Sequence, residues 1–388
     1  MRNVKRIAVF AAACALAAAG AADGDKSLKD AFKGRFFVGA AVNPRVYRGA
    51  SSPVACLVAR EFNTITAEND MKPQSLQPFE GRFRWDAADR FVAFGETNGM
   101  KVIGHCLVWH SQTPDWFFRD SDGEPVGREK ALERMRAHIS AVVGRYKGRV
   151  KGWDVVNEAF DDGGRMRRSP WLRAVGPDYI EHAFRFAHAA DPAAELYYND
   201  FNMFARGKRE AVVRLVRRLK EAGVKIDGVG MQSHVGLNRP NLADYEASIA
   251  AFAAEGVKVM ITELDVSVLP AAWGLSAVVS RSHDYDEKFN PWKDGVLPDE
   301  MQQRLARRYE ELFRIYLKHA DSIDRVTFWG VGDGMSWLNN FPVRGRTDYP
   351  LLFDRSLKPK PCAAAVLRLA EEGRGETSGQ KKSDQSKK

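Results

Sequence analysis

The sequence predicts a single (β/α)8 TIM barrel, and three observations lead to that prediction. Eight short apolar, β-branched or aromatic segments recur along the chain, and longer amphipathic stretches separate them, which is the pattern of repeated βα units. Polar side chains cluster where these segments end, as expected if a parallel barrel presents its active site at the C-terminal ends of the strands. The length of 388 residues is one that barrels accommodate in a single domain.

The predicted strands and helices alternate regularly along the chain. The clearest helical patterns cover residues 130–146, 208–222, 242–254 and 301–318. Eight alternations of this kind predict a closed barrel, in which the strand ends meet at one rim. The predicted strands cover residues 36–42, 62–66, 102–108, 150–157, 196–198, 229–232, 257–262 and 326–329.

The two ends of the chain differ in composition from the predicted barrel. Residues 1–22 resemble a signal peptide, because basic residues precede an apolar run that is too short and alanine-rich for a membrane span. Residues 371–388 are polar and predict a disordered tail, which leaves 23–370 for the barrel domain. We therefore expect an exported protein, either secreted or periplasmic. Lipid anchoring at Cys14, which follows three alanines, is the alternative.

Charge and cysteine content argue against several classes of function. The formal net charge is +9, but part of the basic excess lies in the signal segment and in the tail. No arginine-rich block predicts a nucleic-acid surface. After the signal segment, Cys56, Cys106 and Cys362 have neither the spacing of a disulfide framework nor that of a metal site. We expect a monomer with no cofactor, no metal and no nucleic-acid partner.

A long connection follows the seventh predicted strand. Residues 267–298 are rich in glycine, proline and charged residues. Connections of this length in compact domains usually bind ligands or act as lids, and this one leaves the barrel at its active face. The sequence therefore predicts a substrate-contacting loop here, with a solvated insertion as the alternative.

Two of the predicted strands end at a glutamate, although they are more than a hundred residues apart. The fourth strand ends at Glu158 and the seventh at Glu263. A carboxylate in this position faces the crevice in which barrels carry out their chemistry. Two carboxyl groups can cleave a glycosidic bond, because one protonates the leaving oxygen while the other meets the oxocarbenium-like carbon. A structural ion pair is the alternative for either glutamate alone.

Polar and aromatic residues lie at the ends of the other predicted strands as well. A polyol ligand suits such a rim, because its hydroxyls need donors and acceptors and its C–H faces pack on aromatic planes. Any single member could instead be a core residue or a solvated charge, but such accidents should not favour one end of successive strands. The residues are Glu68, Asn69, Lys72, His105, Trp109, Gln112, Asn157, Asn199, Gln232, His234, Asp265, Trp329 and Trp337.

Five segments together resemble the glycoside hydrolase family 10 endo-xylanases. Each segment alone is a weak signal, but the five occur in order and at spacings compatible with a barrel. The resemblance extends from about residue 30 to residue 370, which is nearly the whole predicted domain. The segments read NTITAENDMK at 63–72, GHCLVWH at 104–110, WDVVNE at 153–158, QSH at 232–234 and ITELD at 261–265.

The resemblance implies an endo-1,4-β-xylanase that retains the anomeric configuration. By carry-over onto matching positions, Glu158 is the general acid/base and Glu263 is the nucleophile. His234, held by Asp265, resembles the pair that orients the nucleophile and keeps it ionised. Asn157 resembles an amide at the scissile sugar.

The resemblance also implies how the substrate is held, on both sides of the scissile bond. An aromatic wall at Trp329 and Trp337 implies a preference for xylose over glucose, because it leaves little room for a hydroxymethyl group. Phe201 departs from the family pattern, which more often has tyrosine there, so a stacking surface for the leaving-side sugar is kept but a phenol is lost. The remaining residues implied to bind substrate are Glu68, Asn69, Lys72, His105, Trp109, Gln112, Asn199 and Gln232.

Two other functions fit parts of this pattern. The same pair of carboxyl groups could act mainly on β-1,4-glucans or aryl cellobiosides, and the width of the pocket at the aromatic wall would decide between the sugars. A non-catalytic glycan-binding protein would keep the cleft without the chemistry, but both glutamates are present in the sequence, which argues against it.

Overall fold

The computed structural model describes residues 26–49, 52–270, 289–342 and 345–372. The predicted signal peptide, residues 271–288 of the long connection and residues 373–388 of the predicted tail lie outside the described residues. Within the described ranges, no helix is both long and apolar enough to cross a membrane.

Eight parallel strands close into a barrel, which confirms the predicted fold. The hydrogen-bonded order of these eight strands follows their order in the chain, and the last strand pairs with the first. The barrel strands are β1 (Phe37–Val42), β2 (Thr64–Ala67), β3 (Lys101–Trp109), β4 (Gly152–Asn157), β5 (Glu195–Asp200), β6 (Gly228–Met231), β8 (Lys258–Ser267) and β9 (Ile323–Phe328). A ninth short strand, β7 (His234–Gly236), pairs with the end of β8 outside the barrel.

Helices cover the outside of the barrel, and the four predicted helical patterns lie within helices of the structure to within one or two residues. Their apolar faces pack on the strands, as in other barrels of this class. The helices are α1 (Leu28–Ala31), α2 (Pro44–Tyr47), α3 (Pro53–Glu61), α4 (Pro73–Leu76), α5 (Asp86–Thr97), α6 (Arg128–Arg145), α7 (Pro170–Ala174), α8 (Tyr179–Ala190), α9 (Arg206–Glu221), α10 (Leu242–Ala254), α11 (Asp299–Lys318) and α12 (361–372).

Among the elements that extend beyond their predicted bounds are β8 and α12. Strand β8 continues to Ser267, whereas the sequence pattern ended at 262, because β7 pairs with its last three residues and satisfies their backbone groups. Helix α12 continues to residue 372, past the predicted boundary of the tail at 371. Its Glu372 lies 3.9 Å from Arg314 and 3.8 Å from Arg368, so the last turn remains in contact with the domain.

Glycines on the barrel strands leave room for large side chains from the neighbouring strand. A Cβ atom on Gly104 would lie 2.1 Å from the ring of Trp153, and one on Gly152 would lie 2.4 Å from the hydroxyl of Tyr197. Both aromatic side chains are fully buried. The barrel is therefore a filled core, and the glycines set the space in which its aromatic layers pack.

A network of four charged residues closes the face of the barrel opposite the strand ends that carry the two glutamates. Lys151 Nζ lies 3.1 Å from Glu195 and 3.2 Å from Asp324, and Lys258 Nζ lies 2.9 Å from Glu195. Tyr197 donates its hydroxyl to Glu195 at 2.7 Å. Burial alone would raise the pKa of Glu195, but the tyrosine and the two lysines outweigh it and lower that pKa to about 2.

We expect Glu195→Gln to destabilise the barrel by roughly 1–2 kcal/mol at neutral pH, between the values for exposed and buried ion pairs. The pKa of Glu195 is about 2 in the folded protein and 4.5 in the unfolded chain. The ionised carboxylate therefore stabilises the fold above pH 4.5, and this contribution is lost as the pH falls through about 2. Urea unfolding midpoints of wild type and variant should therefore differ at pH 7 and converge near pH 2.

Glu96→Gln is the matched control for this prediction. Glu96 pairs with Arg149, but both side chains are about two-fifths exposed, so the loss should stay below about 1 kcal/mol. An effect of Glu195→Gln no larger than that of the control would contradict a structural role for the network.

Candidate active site

The two glutamates singled out in the sequence lie at the same end of the barrel. Glu158 follows β4 directly, and its backbone N–H donates to the carbonyl of Asn199 at 2.8 Å. Glu263 lies within β8, and its N–H donates to the carbonyl of Gln232 at 2.8 Å. Each glutamate is therefore held by its backbone against the neighbouring strand. Glu158 has a φ of 59°, a left-handed conformation that is uncommon for residues with a side chain and is often found at functional sites.

One amide side chain joins the two glutamate segments. Asn199 Nδ2 donates to Glu263 Oε1 at 2.8 Å and to Asn157 Oδ1 at 2.9 Å. Asn157 in turn donates to Glu158 Oε1 at 3.2 Å. Thr262 donates its hydroxyl to Asn199 Oδ1 at 2.6 Å and thereby fixes the orientation of the amide. The two carboxyl groups are therefore connected through two asparagines in the floor of the cleft.

Gln232 adds a second link across the cleft floor. Its Nε2 donates to Glu158 Oε1 at 3.0 Å and to Asn157 Oδ1 at 3.2 Å. The backbone carbonyl of the same residue holds the N–H of Glu263. Gln232 therefore contacts both glutamates, one with its side chain and the other with its main chain.

Glu263 is the end of a buried chain of hydrogen bonds. Its Oε2 lies 3.1 Å from His234 Nε2, and His234 Nδ1 lies 2.9 Å from Asp265 Oδ2. Trp337 donates its indole N–H to the same Asp265 oxygen at 2.8 Å. Burial opposes a charge on the imidazole, but the two carboxylates outweigh it and raise the pKa of His234 to about 10. Burial also disfavours the charge on Glu263 and so raises its pKa. The hydrogen bond from His234 is the largest of the effects that oppose burial, and together they leave the pKa of Glu263 below its ordinary value. Glu263 is thus held as a carboxylate.

The elevated pKa of His234 makes part of the stability pH-dependent. The pKa of His234 is about 10 in the folded protein and 6.5 in the unfolded chain. The charged imidazole therefore contributes its full stabilisation below pH 6.5, and this contribution is lost as the pH rises to about 10. We expect the destabilisation caused by His234→Gln to shrink over that interval, by at most roughly 1.4 kcal/mol per pH unit. Urea unfolding of both proteins between pH 6 and 10 measures this difference.

His138→Gln is the matched control for the alkaline range. His138 is also buried, but burial lowers its pKa to about 3. Its contribution to the free energy of unfolding therefore no longer changes with pH above pH 6.5. The effect of His138→Gln should therefore be constant from pH 7 to 10. A constant effect of His234→Gln over the same range would contradict a charged His234.

Glu158 lies in a different environment from Glu263. Its side chain is 12% exposed, against 6% for Glu263. The Nδ1 atom of His110 lies 3.9 Å from Glu158 Oε2, and burial lowers the pKa of that histidine. His110 was not among the predicted site residues, although it directly follows Trp109. The site therefore combines the more deeply buried carboxylate of Glu263 with the slightly more exposed carboxyl group of Glu158.

Several of the predicted substrate-binding residues form one connected group beside β2 and β3. Lys72 Nζ donates to Asn69 Oδ1 at 3.0 Å and to Gln112 Oε1 at 2.9 Å. The same ammonium lies 4.9 Å from the centre of the Trp109 ring. Glu68 is placed at the end of β2, and burial raises the pKa of its carboxyl group. The five residues therefore offer a sugar both charged hydrogen-bonding groups and an aromatic face.

His105 lies deeper in the barrel than this group. Its Nδ1 lies 2.9 Å from Asp154 Oδ2, and its ring meets Trp329 edge-on at 5.3 Å. Asp154 was missed in the sequence because it lies in the interior of a predicted strand rather than at its end. On the far side, Trp337 packs against His234 with ring centres 4.9 Å apart. The two tryptophans thus form a continuous aromatic wall with the histidines.

Phe201 directly follows β5, the strand that carries Asn199. The ammonium of Lys208 lies 3.9 Å from the centre of its ring, and the guanidinium carbon of Arg167 lies 5.5 Å away. Lys208 is fully buried and pairs with Asp200 at 2.9 Å. Phe201 is half-buried, so part of its ring remains available for stacking.

The described ends of the predicted substrate-contacting loop are anchored by hydrogen bonds to residues 345–348. Ser267 donates to Asp348 at 2.5 Å, and Arg346 contacts the same carboxylate at 3.2 Å. Asn290 donates to the carbonyl of Gly345 at 2.9 Å. Residues 271–288 lie outside the described residues, so a role for the loop in substrate binding stays a prediction.

Comparison with known proteins agrees with this geometry. The family model "Glycosyl hydrolase family 10" matches residues 27–369. Endo-1,4-beta-xylanase A of Xylanibacter ruminicola is 48% identical over 354 residues, covering 91% of this chain and 96% of that protein. The thermostable celloxylanase of Thermoclostridium stercorarium is 42% identical over 355 residues, covering 88% of this chain and 87% of that protein.

A solved structure extends the similarity to three dimensions. The structure of a GH10 endoxylanase from a sugarcane soil metagenome superimposes with a TM-score of 0.84 at 44% sequence identity. The match covers 89% of this chain and all of the other. The protein therefore belongs to glycosyl hydrolase family 10.

Proposed function

We propose that this protein is an endo-1,4-β-xylanase that hydrolyses internal β-1,4-xylosidic bonds of xylan with retention of configuration. The observation that carries the proposal is the pair of carboxyl groups at one end of the barrel, joined through Asn157 and Asn199, with Glu263 held ionised by His234. Family membership and the xylanases among the relatives support the choice of substrate.

The proposed reaction is a double displacement. Glu263 attacks the anomeric carbon from one face while Glu158 protonates the glycosidic oxygen, and a covalent xylosyl-enzyme forms. Glu158, now a carboxylate, then removes a proton from water, which displaces Glu263 and restores both groups. Retaining glycosidases place the two carboxyl groups about 5 to 5.5 Å apart, and the asparagine bridge between the glutamates would maintain such a spacing.

We assign the surrounding residues to substrate positioning. Asn157 and Gln232, which both contact Glu158, are placed to hydrogen-bond the 2-hydroxyl of the reacting sugar, an interaction that strengthens in the transition state. The group around Lys72 would hold the non-reducing part of the chain. Phe201 would stack on the first sugar of the leaving group.

A β-1,4-glucanase is the second candidate, because one relative carries the name celloxylanase. The two sugars differ by a hydroxymethyl group, and the wall formed by Trp329 and Trp337 lies next to His234 in the cleft. A bulky aromatic wall disfavours the larger sugar, which is why we propose xylan as the main substrate.

Proton NMR of the anomeric region during hydrolysis of xylohexaose, beside cellohexaose, tests this proposal. We expect rapid internal cleavage of xylohexaose with β-anomers appearing first and converting slowly to the equilibrium mixture. Initial α-anomers would contradict the double displacement. Faster cleavage of cellohexaose would favour the glucanase, and cleavage of neither substrate would favour a glycan-binding protein.

We also propose that the protein is exported and acts as a monomer. The basic and then apolar composition of residues 1–22 supports export. N-terminal sequencing of the protein from the medium and the periplasm would identify the cleavage site, and size-exclusion chromatography would measure the oligomeric state. A protein retained in the cytoplasm with its first residues intact would contradict export.

A further inference from the structure

Glu158 lies at the point where the pairing between β4 and β5 stops. The last paired residues are Asn157 and Asn199, and the N–H of Glu158 still donates to the carbonyl of Asn199 at 2.8 Å. The chain then turns away through the left-handed conformation of Glu158, whose φ is 59°. The next two residues, Ala159 and Phe160, are buried, so their N–H groups need acceptors from outside the ladder of the sheet.

Side chains from β5 supply these acceptors. The N–H of Ala159 donates to the hydroxyl of Tyr198 at 3.0 Å. The N–H of Phe160 donates to Asp200 Oδ2 at 3.4 Å, and Tyr198 donates its hydroxyl to the same oxygen at 2.6 Å. The ring of Phe160 packs edge-on against that of Tyr198, with centres 5.9 Å apart. The peptide groups that follow the proposed acid/base are therefore held by one phenol and one carboxylate.

Asp200 is itself fixed as an acceptor. Lys208 on α9 donates to its Oδ1 at 2.9 Å, and the N–H of the residue after Asp200 donates to that oxygen at 2.8 Å. Burial raises the pKa of Tyr198 well above its ordinary range, so the phenol keeps the proton that it donates. Tyr198, Asp200 and Lys208 are all fully buried. The hydroxyl of Tyr198 therefore has a fixed position and a fixed direction.

We propose that Tyr198 is a positioning residue for the acid/base. Its hydroxyl, aligned by Asp200, fixes the backbone after Glu158 and so directs the carboxyl group at the glycosidic oxygen. This inference rests on the proposed xylanase function. Proton transfer needs the two oxygens within hydrogen-bond reach, about 2.6–3.2 Å, and a displacement of about 1 Å can cost on the order of 10²-fold in rate.

The backbone of Glu158 makes this support necessary. A left-handed conformation at a residue with a side chain persists only where the surrounding structure holds it. Without the phenol, the N–H of Ala159 loses its acceptor and the turn after Glu158 loses one of its contacts. The reaction step that suffers is then protonation of the leaving group, because that step depends on where the carboxyl group points.

Tyr198→Phe tests the proposal through the dependence of the rate on the leaving group. A phenyl β-xylobioside needs protonation of its departing oxygen, whereas a dinitrophenyl β-xylobioside hardly does, and kcat/KM reports the first chemical step for both. We expect kcat/KM to fall by about 10- to 100-fold for the phenyl substrate and by less than about threefold for the dinitrophenyl substrate. The ratio of the two should therefore move from the wild-type value towards that of Glu158→Ala.

Tyr197→Phe is the matched control, because Tyr197 is the neighbouring residue of β5 and its hydroxyl also donates to a carboxylate. That carboxylate is Glu195, 2.7 Å away in the charged network at the opposite face of the barrel. Both variants remove one buried hydroxyl and keep the ring, so their effects on folding should be similar. A smaller folded fraction lowers kcat/KM for both substrates equally. Tyr197→Phe should therefore leave the ratio at the wild-type value.

Asp200→Asn provides a second test, which also applies if Tyr198→Phe fails to fold. It places an amide where the carboxylate accepts from Tyr198 and Phe160. Lys208 keeps a charged partner in this variant, because it also contacts Asp162 at 3.1 Å. The substrate ratio of Asp200→Asn should shift in the same direction as that of Tyr198→Phe.

An equal loss on both aryl substrates in Tyr198→Phe would overturn the inference, because it would assign the phenol to folding alone. A shift of the same size in Tyr197→Phe would overturn it as well. Cleavage of xylohexaose by the wild type separates these failures from failure of the proposed function. An enzyme that cleaves xylohexaose but keeps its substrate ratio in Tyr198→Phe is a xylanase whose acid/base needs no support from the phenol. An enzyme that leaves xylohexaose intact is not the proposed xylanase.

Discussion

Glu263→Ala is expected to lower kcat on xylan by about 10⁴-fold or more, the scale found when a catalytic nucleophile is removed. The fold should persist, because the barrel strands pair through their backbones and β8 keeps its hydrogen bonds to β6 and β9. The lost group is the one that His234 and Asn199 hold ionised at the cleft floor. No other carboxylate of the described site has this environment, so no neighbour should replace it.

Azide provides the decisive readout for this variant. The missing side chain leaves space for a small anion, which can attack the anomeric carbon of an activated aryl xylobioside from the face that Glu263 occupied. We expect azide to restore turnover and to give the α-xylobiosyl azide, with inverted configuration. A β-configured azide would assign the nucleophile to another residue, and so would a variant that retains wild-type kcat on xylan.

Glu158→Ala is expected to separate the two halves of the reaction. An aryl xylobioside with a good leaving group needs little protonation, so the xylosyl-enzyme should still form rapidly. Its hydrolysis should be slower by about 10²- to 10⁴-fold, because no base activates the water. Turnover of xylan, whose leaving group is a sugar, should fall by a similar factor at the first step.

Stopped-flow absorbance at the start of the reaction measures this effect as a burst of one aryl equivalent per enzyme, followed by slow turnover. Azide should accelerate the slow phase and give the β-xylobiosyl azide, the opposite configuration from that expected for Glu263→Ala, so the two variants serve as controls for each other. Absence of a burst with an activated substrate would contradict the dual role of Glu158.

The fold was predictable because buried parallel strands leave a simple trace in the sequence. Apolar runs such as 102–108 and 257–262 have no polar face, and the helices between them have one. Strand β7 was not predictable, because three residues of mixed character carry no periodic signal. The extension of β8 to Ser267 depends on pairing with β7, and a single-strand pattern does not reveal a partner.

The site was predictable where its residues lie at strand ends and match the family segments. Its supporting contacts were not. Asp154 lies inside a predicted strand and Thr262 is the last residue of another, and neither position indicates which side chain the residue touches, although they hold His105 and Asn199. The charged network of Lys151, Glu195, Lys258 and Asp324 joins residues that are far apart in the chain, so only the closed barrel brings them together.

The asparagine bridge between the glutamates has a consequence for redesign. Converting a retaining glycosidase into an inverting one requires widening the gap between its carboxyl groups so that a water molecule fits. Here Asn199 belongs to β5 and connects side chains on β4 and β8, so the gap is set by three strands of a closed cylinder. Shortening Glu263 to aspartate would withdraw the whole carboxylate by one methylene but leave the strand positions unchanged. A stereochemical switch in this scaffold therefore requires substitutions at Asn157 and Asn199 as well as at the glutamate.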